Sequence, residues 1–132
     1  MSGLSAQPAV KIIARHGELP LVTLFELCEQ VARVGVLPTT SGMQFIEISA
    51  AGVSKASTLE LLAAEHGFTA DEVLAFGDSA NDREMLGWAG HGVALANGTA
   101  PALATADEIA PANTDDGVAV VIERLLACGG RF

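Results

Sequence analysis

Residues 77–82 read Gly-Asp-Ser-Ala-Asn-Asp, placing two carboxylates four positions apart with a hydroxyl and a carboxamide between them. Brought close together, Asp78 and Asp82 repel unless a positive charge joins them. A hard cation is one such charge, because Mg²⁺ takes oxygen ligands, typically one or two carboxylates completed by water and substrate phosphate. The plainer reading is local: Asp78 or Ser79 caps a helix, and Asp82 is an acid favoured in its first turn. What shifts the balance toward a site is the wholly apolar run just ahead, residues 73–76 (VLAF). Such a run suits a strand covered on both faces, and open α/β sheets hold their ligands beyond the carboxyl ends of strands.

Lys55 is the second residue that could do chemistry. It falls in the first turn of an expected helix, where the helix dipole disfavours a cation by only about 0.3–1 kcal/mol. By itself it reads as a solvated lysine, and in company with a phosphate it would be a point charge aimed at that group. His16, His66 and His91 lack metal-ligand spacing. His66 suits a helix C-terminus, His91 a glycine-rich loop, Trp88 a packing role, and residues 114–117 a capped turn. The chain has no G-x-S-x-G, no phosphate-binding G-x-x-x-x-G-K and no G-x-G-x-x-G.

The elements that must position these residues fall into two textures. Residues 10–14 read as a short strand. Residues 21–34 read as a helix whose stripe is Leu24, Leu27, Cys28 and Val31, with Gly35 following its end. Residues 36–40 and 44–49 read as strands joined at Ser41 and Gly42. After residue 52 helices and strands alternate. A helix over 55–66 has Ser54 as N-cap and Gly67 as stop. A capping-box turn over 69–72 precedes the strand at 73–76. A helix over 81–89, a strand over 92–96, a short helix over 101–106 with Thr99 and Pro101 at its start, and a strand over 108–110 follow. The last helix, 118–127, carries the stripe Val118, Val121, Ile122 and Leu125. This alternation predicts a parallel α/β sheet. The expected organisation is a flexible tail over 1–9, an α+β segment over 10–52 and a β/α-wound segment over 53–132.

Composition bounds the function. Half of the 132 residues are hydrophobic and 17% are charged; such a chain buries enough apolar surface to offset its ordering entropy, which excludes intrinsic disorder. The net charge is −9, and an acidic chain lacks the basic footprint of a nucleic-acid binder. No apolar run reaches the ~18 residues of a membrane span. With no secretory leader in view and two distant cysteines, Cys28 and Cys128, the expectation is a soluble cytoplasmic protein without disulfide or zinc framework.

Five ordered blocks carry a resemblance: GVSKA over residues 52–56, FGDSAND over 76–82, Met85-Leu86, GVALAN over 92–97 and DGVA over 116–119. Together they resemble the haloacid dehalogenase (HAD) superfamily, and within it the Cof-type sugar-phosphate phosphatases. Residues 12–49 look like the closing part of the α/β cap that this family inserts into its core. The resemblance implies the C-terminal half of a HAD-like Rossmannoid parallel sheet, preceded by the end of an α+β cap. It implies Mg²⁺ as cofactor and a small phosphorylated metabolite as substrate. Lys55 would steady the nucleophile and the transferring phosphoryl group. Asp78 and Ser79 would hold Mg²⁺, Asn81 would contact phosphate, and Asp82 would orient Lys55 or hold a metal-bound water. Phosphoryl transfer needs mainly charge around the equatorial oxygens, which such a set supplies.

The chain departs from the family pattern in one respect: it contains no D-x-D, the motif whose first Asp is the family's nucleophile. The motif-two Ser or Thr has no counterpart either. The reading is therefore the C-terminal part of a phosphatase working through an aspartyl-phosphate whose nucleophile lies elsewhere. Its sheet should expose an unpaired edge that a preceding segment or a second copy covers. Two alternatives stand beside it: a non-catalytic module keeping a Mg²⁺/phosphate half-site, and a phosphomutase or sucrose-phosphatase-like member.

Overall fold

The computed structural model describes residues 9–32, 35–41 and 43–129. The expected tail, Ala9 excepted, and Gly42 of the expected turn lie outside them. The chain divides into two compact units, one up to Val53 and one from Ser54.

In the first unit β1 (Ile12–Ala14), β2 (Val36–Thr39) and β3 (Ile46–Ala50) form an antiparallel sheet in the order β1-β3-β2. Pro38 is tolerated within β2 because that strand is an edge, where a missing N–H need cost no ladder bond. Helix α1 (Leu21–Val31) packs on β2 and β3. It is shorter than the sequence suggests: Ala32 is already extended, so Gly35 does not follow the helix end. The positive φ of Gly35, 102°, serves the turn into β2 instead, and its carbonyl accepts the Ala51 N–H at 2.9 Å. The expected stripe is also rotated. Cys28 is buried, but Leu27 and Val31 face outward, and Leu21, Leu24 and Phe25 share the inner side with Cys28. The strand after the turn starts at Ile46, the unit's fully buried residue, rather than at Gln44.

The second unit opens with α2 (Lys55–His66). Ser54 and Ser57 cap it reciprocally: the Ser57 N–H donates to Ser54 Oγ at 3.2 Å and the Ser54 N–H to Ser57 Oγ at 2.9 Å. Gly67 ends it in the left-handed region, φ 75°, where a Cβ would be strained. The 3-10 turn Ala70–Glu72 is fastened by Glu72, whose Oε2 accepts from the Thr69 N–H and hydroxyl.

Three parallel strands follow in the order β4-β5-β6: β4 (Leu74–Gly77), β5 (His91–Leu95) and β6 (Glu108–Ala110). Leu74 pairs with His91, and Val93 with Glu108. The central strand β5 is buried from Gly92 to Leu95. On one face Ala75 and Ala94 pack with Leu86 and Ala89 of the α3 (Arg83–Trp88) region and Ala102 of α4 (Ala100–Leu103), with Trp88 packed alongside. On the other face Val93, Leu95 and Ala110 pack with Val121 of α5 (Gly117–Ala127). Burying side chains such as Leu86, Val93 and Val121 stabilises the unit by about 1.5–3 kcal/mol each.

Small residues let these layers meet closely. A Cβ on Gly92 would lie 2.2 Å from the Leu86 carbonyl oxygen, so α3 rests directly on β5. The stripe foreseen on α5 is half right: Val121 and Leu125 face the sheet, whereas Val118 and Ile122 are exposed. His91, expected in a loop, is the first residue of β5. The helix expected over 81–89 begins as a 3-10 turn, Ala80–Asp82, before continuing as α3. Mixed α/β architecture with a parallel sheet is the fold class read from the alternation of elements. No helix among the described residues is long and apolar enough to cross a membrane.

Candidate active site

The site lies where β4 ends. Gly77 closes the strand, Asp78 and Ser79 leave it, and the turn Ala80–Asp82 brings the chain back. Gly77 must lack a side chain here, since its Cβ would sit 2.5 Å from Asp82 Cβ. That approach seats Asp82 under the strand end, where it is 4% exposed and is the buried charged residue of the described core.

Asp82 is satisfied on both oxygens. Its Oδ2 accepts the N–H groups of Asp78 at 3.1 Å and Ser79 at 3.0 Å. Its Oδ1 meets the Lys55 ammonium. Burial pushes the Asp82 carboxyl up, but the Lys55 hydrogen bond and the Ser79 and Asp78 N–H groups outweigh it, so its pKa lies below the ordinary value of 3.8. Lys55 extends from the first turn of α2 and keeps half its side chain exposed. Its ammonium therefore faces solvent on one side and a buried carboxylate on the other.

Capping and site reading coexist. Ser79 stands at the N-cap of the turn and Asp82 in its first turn, as the local reading has them, and Asp82 also reaches back to accept the Ser79 and Asp78 N–H groups. Among the described residues the Asp78 carboxylate accepts a hydrogen bond from the Ser79 hydroxyl, at 3.1 Å on Oδ1. Asn81 Oδ1 is buried without a hydrogen-bond partner. An orphaned buried acceptor of this kind is a position that awaits a donor or a cation.

The structure thus brings Lys55 to Asp82 across 27 positions of sequence, and keeps Asp78 and Ser79 together beside them. The oxygen donors Asp78, Ser79 and Asn81 fit a hard cation rather than a soft one. They do not complete a cage: no group of three or more His, Cys, Asp or Glu able to hold a metal occurs among the described residues. One or two carboxylates with water suit Mg²⁺, which seldom has an all-protein cage.

Two features escaped the sequence. The loop after β5 grips the site from the side, with the Thr99 N–H donating to the Asp78 carbonyl at 2.7 Å. A second polar cluster joins His91 Nε2 to Glu108 Oε2 at 2.9 Å, with the Arg124 guanidinium on the same oxygen at 2.7 Å. Arg124 and then His91 hold the Glu108 carboxyl below its ordinary range. The first required the β4–β5 register and the second the β5–β6 register, which no local spacing reveals.

With this geometry in place, the chain can be set beside known proteins. A family model for haloacid dehalogenase-like hydrolases matches residues 6–122, and the chain belongs to that family. It is 43% identical over 84 residues to a 5-amino-6-(5-phospho-D-ribitylamino)uracil phosphatase of Bacillus subtilis, covering 64% of this chain and 34% of that protein. It is 42% identical over 92 residues to a protein of Arabidopsis thaliana named Endoribonuclease YBEY, chloroplastic, covering 70% of this chain but 15% of that protein. Among solved structures, a haloacid dehalogenase-like hydrolase from Bacteroides thetaiotaomicron superposes with a TM-score of 0.74 at 35% identity, covering 89% of this chain and 44% of that one. The chain thus spans about a third of the phosphatase and less of the Arabidopsis protein.

Proposed function

We propose that this chain supplies the C-terminal part of a Mg²⁺-dependent phosphatase acting on small phosphate monoesters, sugar phosphates or similar metabolites, in the cytoplasm. The observation that carries the proposal is the buried Asp82. It binds Lys55 on one oxygen and the Asp78 and Ser79 amides on the other, at the carboxyl end of a parallel strand. The family membership and the phosphatase name of the Bacillus relative support the reaction class.

Each residue then has a task. Asp82 holds the Lys55 ammonium charged and aimed, and Lys55 places that charge on the phosphoryl oxygens as they gain charge. Asn81 contacts the phosphate, and Asp78 with Ser79 holds the cation. Bound Mg²⁺ would neutralise phosphate charge and orient the group for in-line attack. The nucleophile, an Asp that becomes the aspartyl-phosphate, comes from a segment outside this sequence. That segment, or a second copy of the chain, covers the free edge of β4. A non-catalytic half-site is the second reading, favoured by the absence of D-x-D.

Two measurements test the proposal. In Mn²⁺ titrations followed by NMR line broadening, amides of residues 78–82 should broaden first, and Asp78→Asn should abolish the effect without loss of fold. Unchanged broadening in Asp78→Asn would overturn the metal assignment. The chain alone should not hydrolyse p-nitrophenyl phosphate; Mg²⁺-dependent turnover by it would refute the need for an external nucleophile.

A further inference from the structure

The geometry points to Asn97 as a positioning residue for Asp78, acting through the turn Leu95-Ala96-Asn97-Gly98 and Thr99; the inference rests on the reading of Asp78 as the cation-holding acid. Three hydrogen bonds define the device. The Asn113 N–H, at the start of the 3-10 turn after β6, donates to Asn97 Oδ1 at 2.8 Å. The Gly98 N–H closes the turn on the Leu95 carbonyl at 2.8 Å. The Thr99 N–H then donates to the Asp78 carbonyl at 2.7 Å.

Of the two ends of the Asn97 carboxamide only the oxygen can accept from a main-chain N–H, so its orientation is fixed by chemistry. The anchoring side is firm, because the Ala96 N–H extends the parallel ladder to the Ala110 carbonyl at 2.9 Å. The delivering side is tight. A Cβ on Gly98 would lie 2.9 Å from the Leu95 carbonyl oxygen, 3.1 Å from the Asp78 carbonyl oxygen and 3.2 Å from the Asp78 Cα. Asn97 thus ties the loop beyond β6 to the loop beyond β5, and that loop presses on the main chain of Asp78. The side chain of Asn97 is exposed and touches neither Asp78 nor the phosphate side of Lys55 in any hydrogen bond described for it. Its effect on Asp78 is transmitted, not direct.

The test uses this chain, ¹⁵N-labelled, with Asn97→Ala, Asn97→Asp and Gly98→Ala. Asn97→Asp keeps an acceptor in the same place, and Gly98→Ala sets a methyl against the Leu95 and Asp78 carbonyl oxygens. Asn97→Ala and Gly98→Ala should each move the Asp78 and Ser79 amide resonances. Asn97→Ala should also accelerate exchange of the Thr99 amide about tenfold, while Asn97→Asp leaves both near wild type. A purely structural role would lower the melting temperature without moving Asp78 selectively. Unmoved Asp78 and Ser79 resonances in Asn97→Ala, or equal shifts in the alanine and aspartate variants, would overturn the inference. Mn²⁺ broadening is recorded on the same samples. If wild type shows none, the metal reading fails while the resonance shifts still decide the strut; if wild type broadens, Asn97→Ala should need several-fold more Mn²⁺ for the same effect.

Discussion

Asp82 Oδ2 accepts the main-chain N–H of Asp78, four residues earlier, at 3.1 Å. One of the two carboxylates in the motif therefore builds the loop that presents the other. The pair is not two equivalent cation ligands facing each other. Asp82 has its charge balanced by Lys55 and by backbone dipoles, and Asp78 keeps its carboxylate available.

Removing Asp82 should cost stability in proportion to the donors it abandons. Asp82→Ala leaves the Asp78 and Ser79 N–H groups without their acceptor, and should destabilise the protein by about 2–3 kcal/mol. Asp82→Asn retains an acceptor oxygen and should cost about 1 kcal/mol. Urea unfolding of the two variants checks the difference; equal losses would mean that the amide hydrogen bonds contribute little.

The acid limb of stability should carry the signature of the same residue. The folded pKa of Asp82 lies below its ordinary value of 3.8. Its contribution is therefore complete above the unfolded pKa and is lost as pH falls through the lower, folded one. As pH falls from about 5 through and below the ordinary value of 3.8, the stability of wild type should converge on that of Asp82→Asn. Lys55→Met should bring the loss to higher pH, because the ammonium that favours the ionised carboxylate is gone. A constant gap across the range would show that Asp82 does not titrate as the geometry requires.

Much of this arrangement was readable before any coordinates. The pattern Ser54 to Gly67 gives α2 its bounds because both of its ends are set by local chemistry, a hydroxyl cap and a left-handed glycine. The run ahead of Asp78 reads as a buried strand because it has no polar face. Helix α1 read less well: its Leu27 and Val31 are apolar yet exposed, so periodicity alone selected the wrong stripe. At the turn, residue types placed Ser79 at the cap and Asp82 in the first turn, but the close seat of Asp82 under the strand end depended on Gly77, whose missing Cβ admits it. The Asn97 and Thr99 contacts lay beyond reach because they depend on strand register, a property of the assembled sheet.

Glycines that admit neighbouring groups should tolerate alanine in the order of the space they leave. Gly117 has the Pro111 carbonyl oxygen 1.9 Å from where its Cβ would be. Gly117→Ala should cost about 3 kcal/mol by forcing the backbone apart. Gly77→Ala should cost about 1–3 kcal/mol and disturb the Lys55–Asp82 contact as well. Gly17, with nothing within 4 Å of that position, should accept alanine within about 0.5 kcal/mol. Thermal melts of the three variants give the ranking, and a well-tolerated Gly117→Ala would contradict the close packing of the α5 start.

The parallel register has a consequence for the order of assembly. Leu74 pairs with His91 and Val93 with Glu108, each across fewer than 20 residues, while in the first sheet Ile12 pairs with Ile48 across more than twice either distance. Shorter loops lose less entropy on closing, and local pairings form sooner than remote ones. On loop length Val93 and Ala94 should thus gain amide protection before Ile13, an order that pulse-labelled hydrogen exchange would reveal. The loop of residues 78–82 would then be shaped while the strand at Ile12 is still searching for its partner.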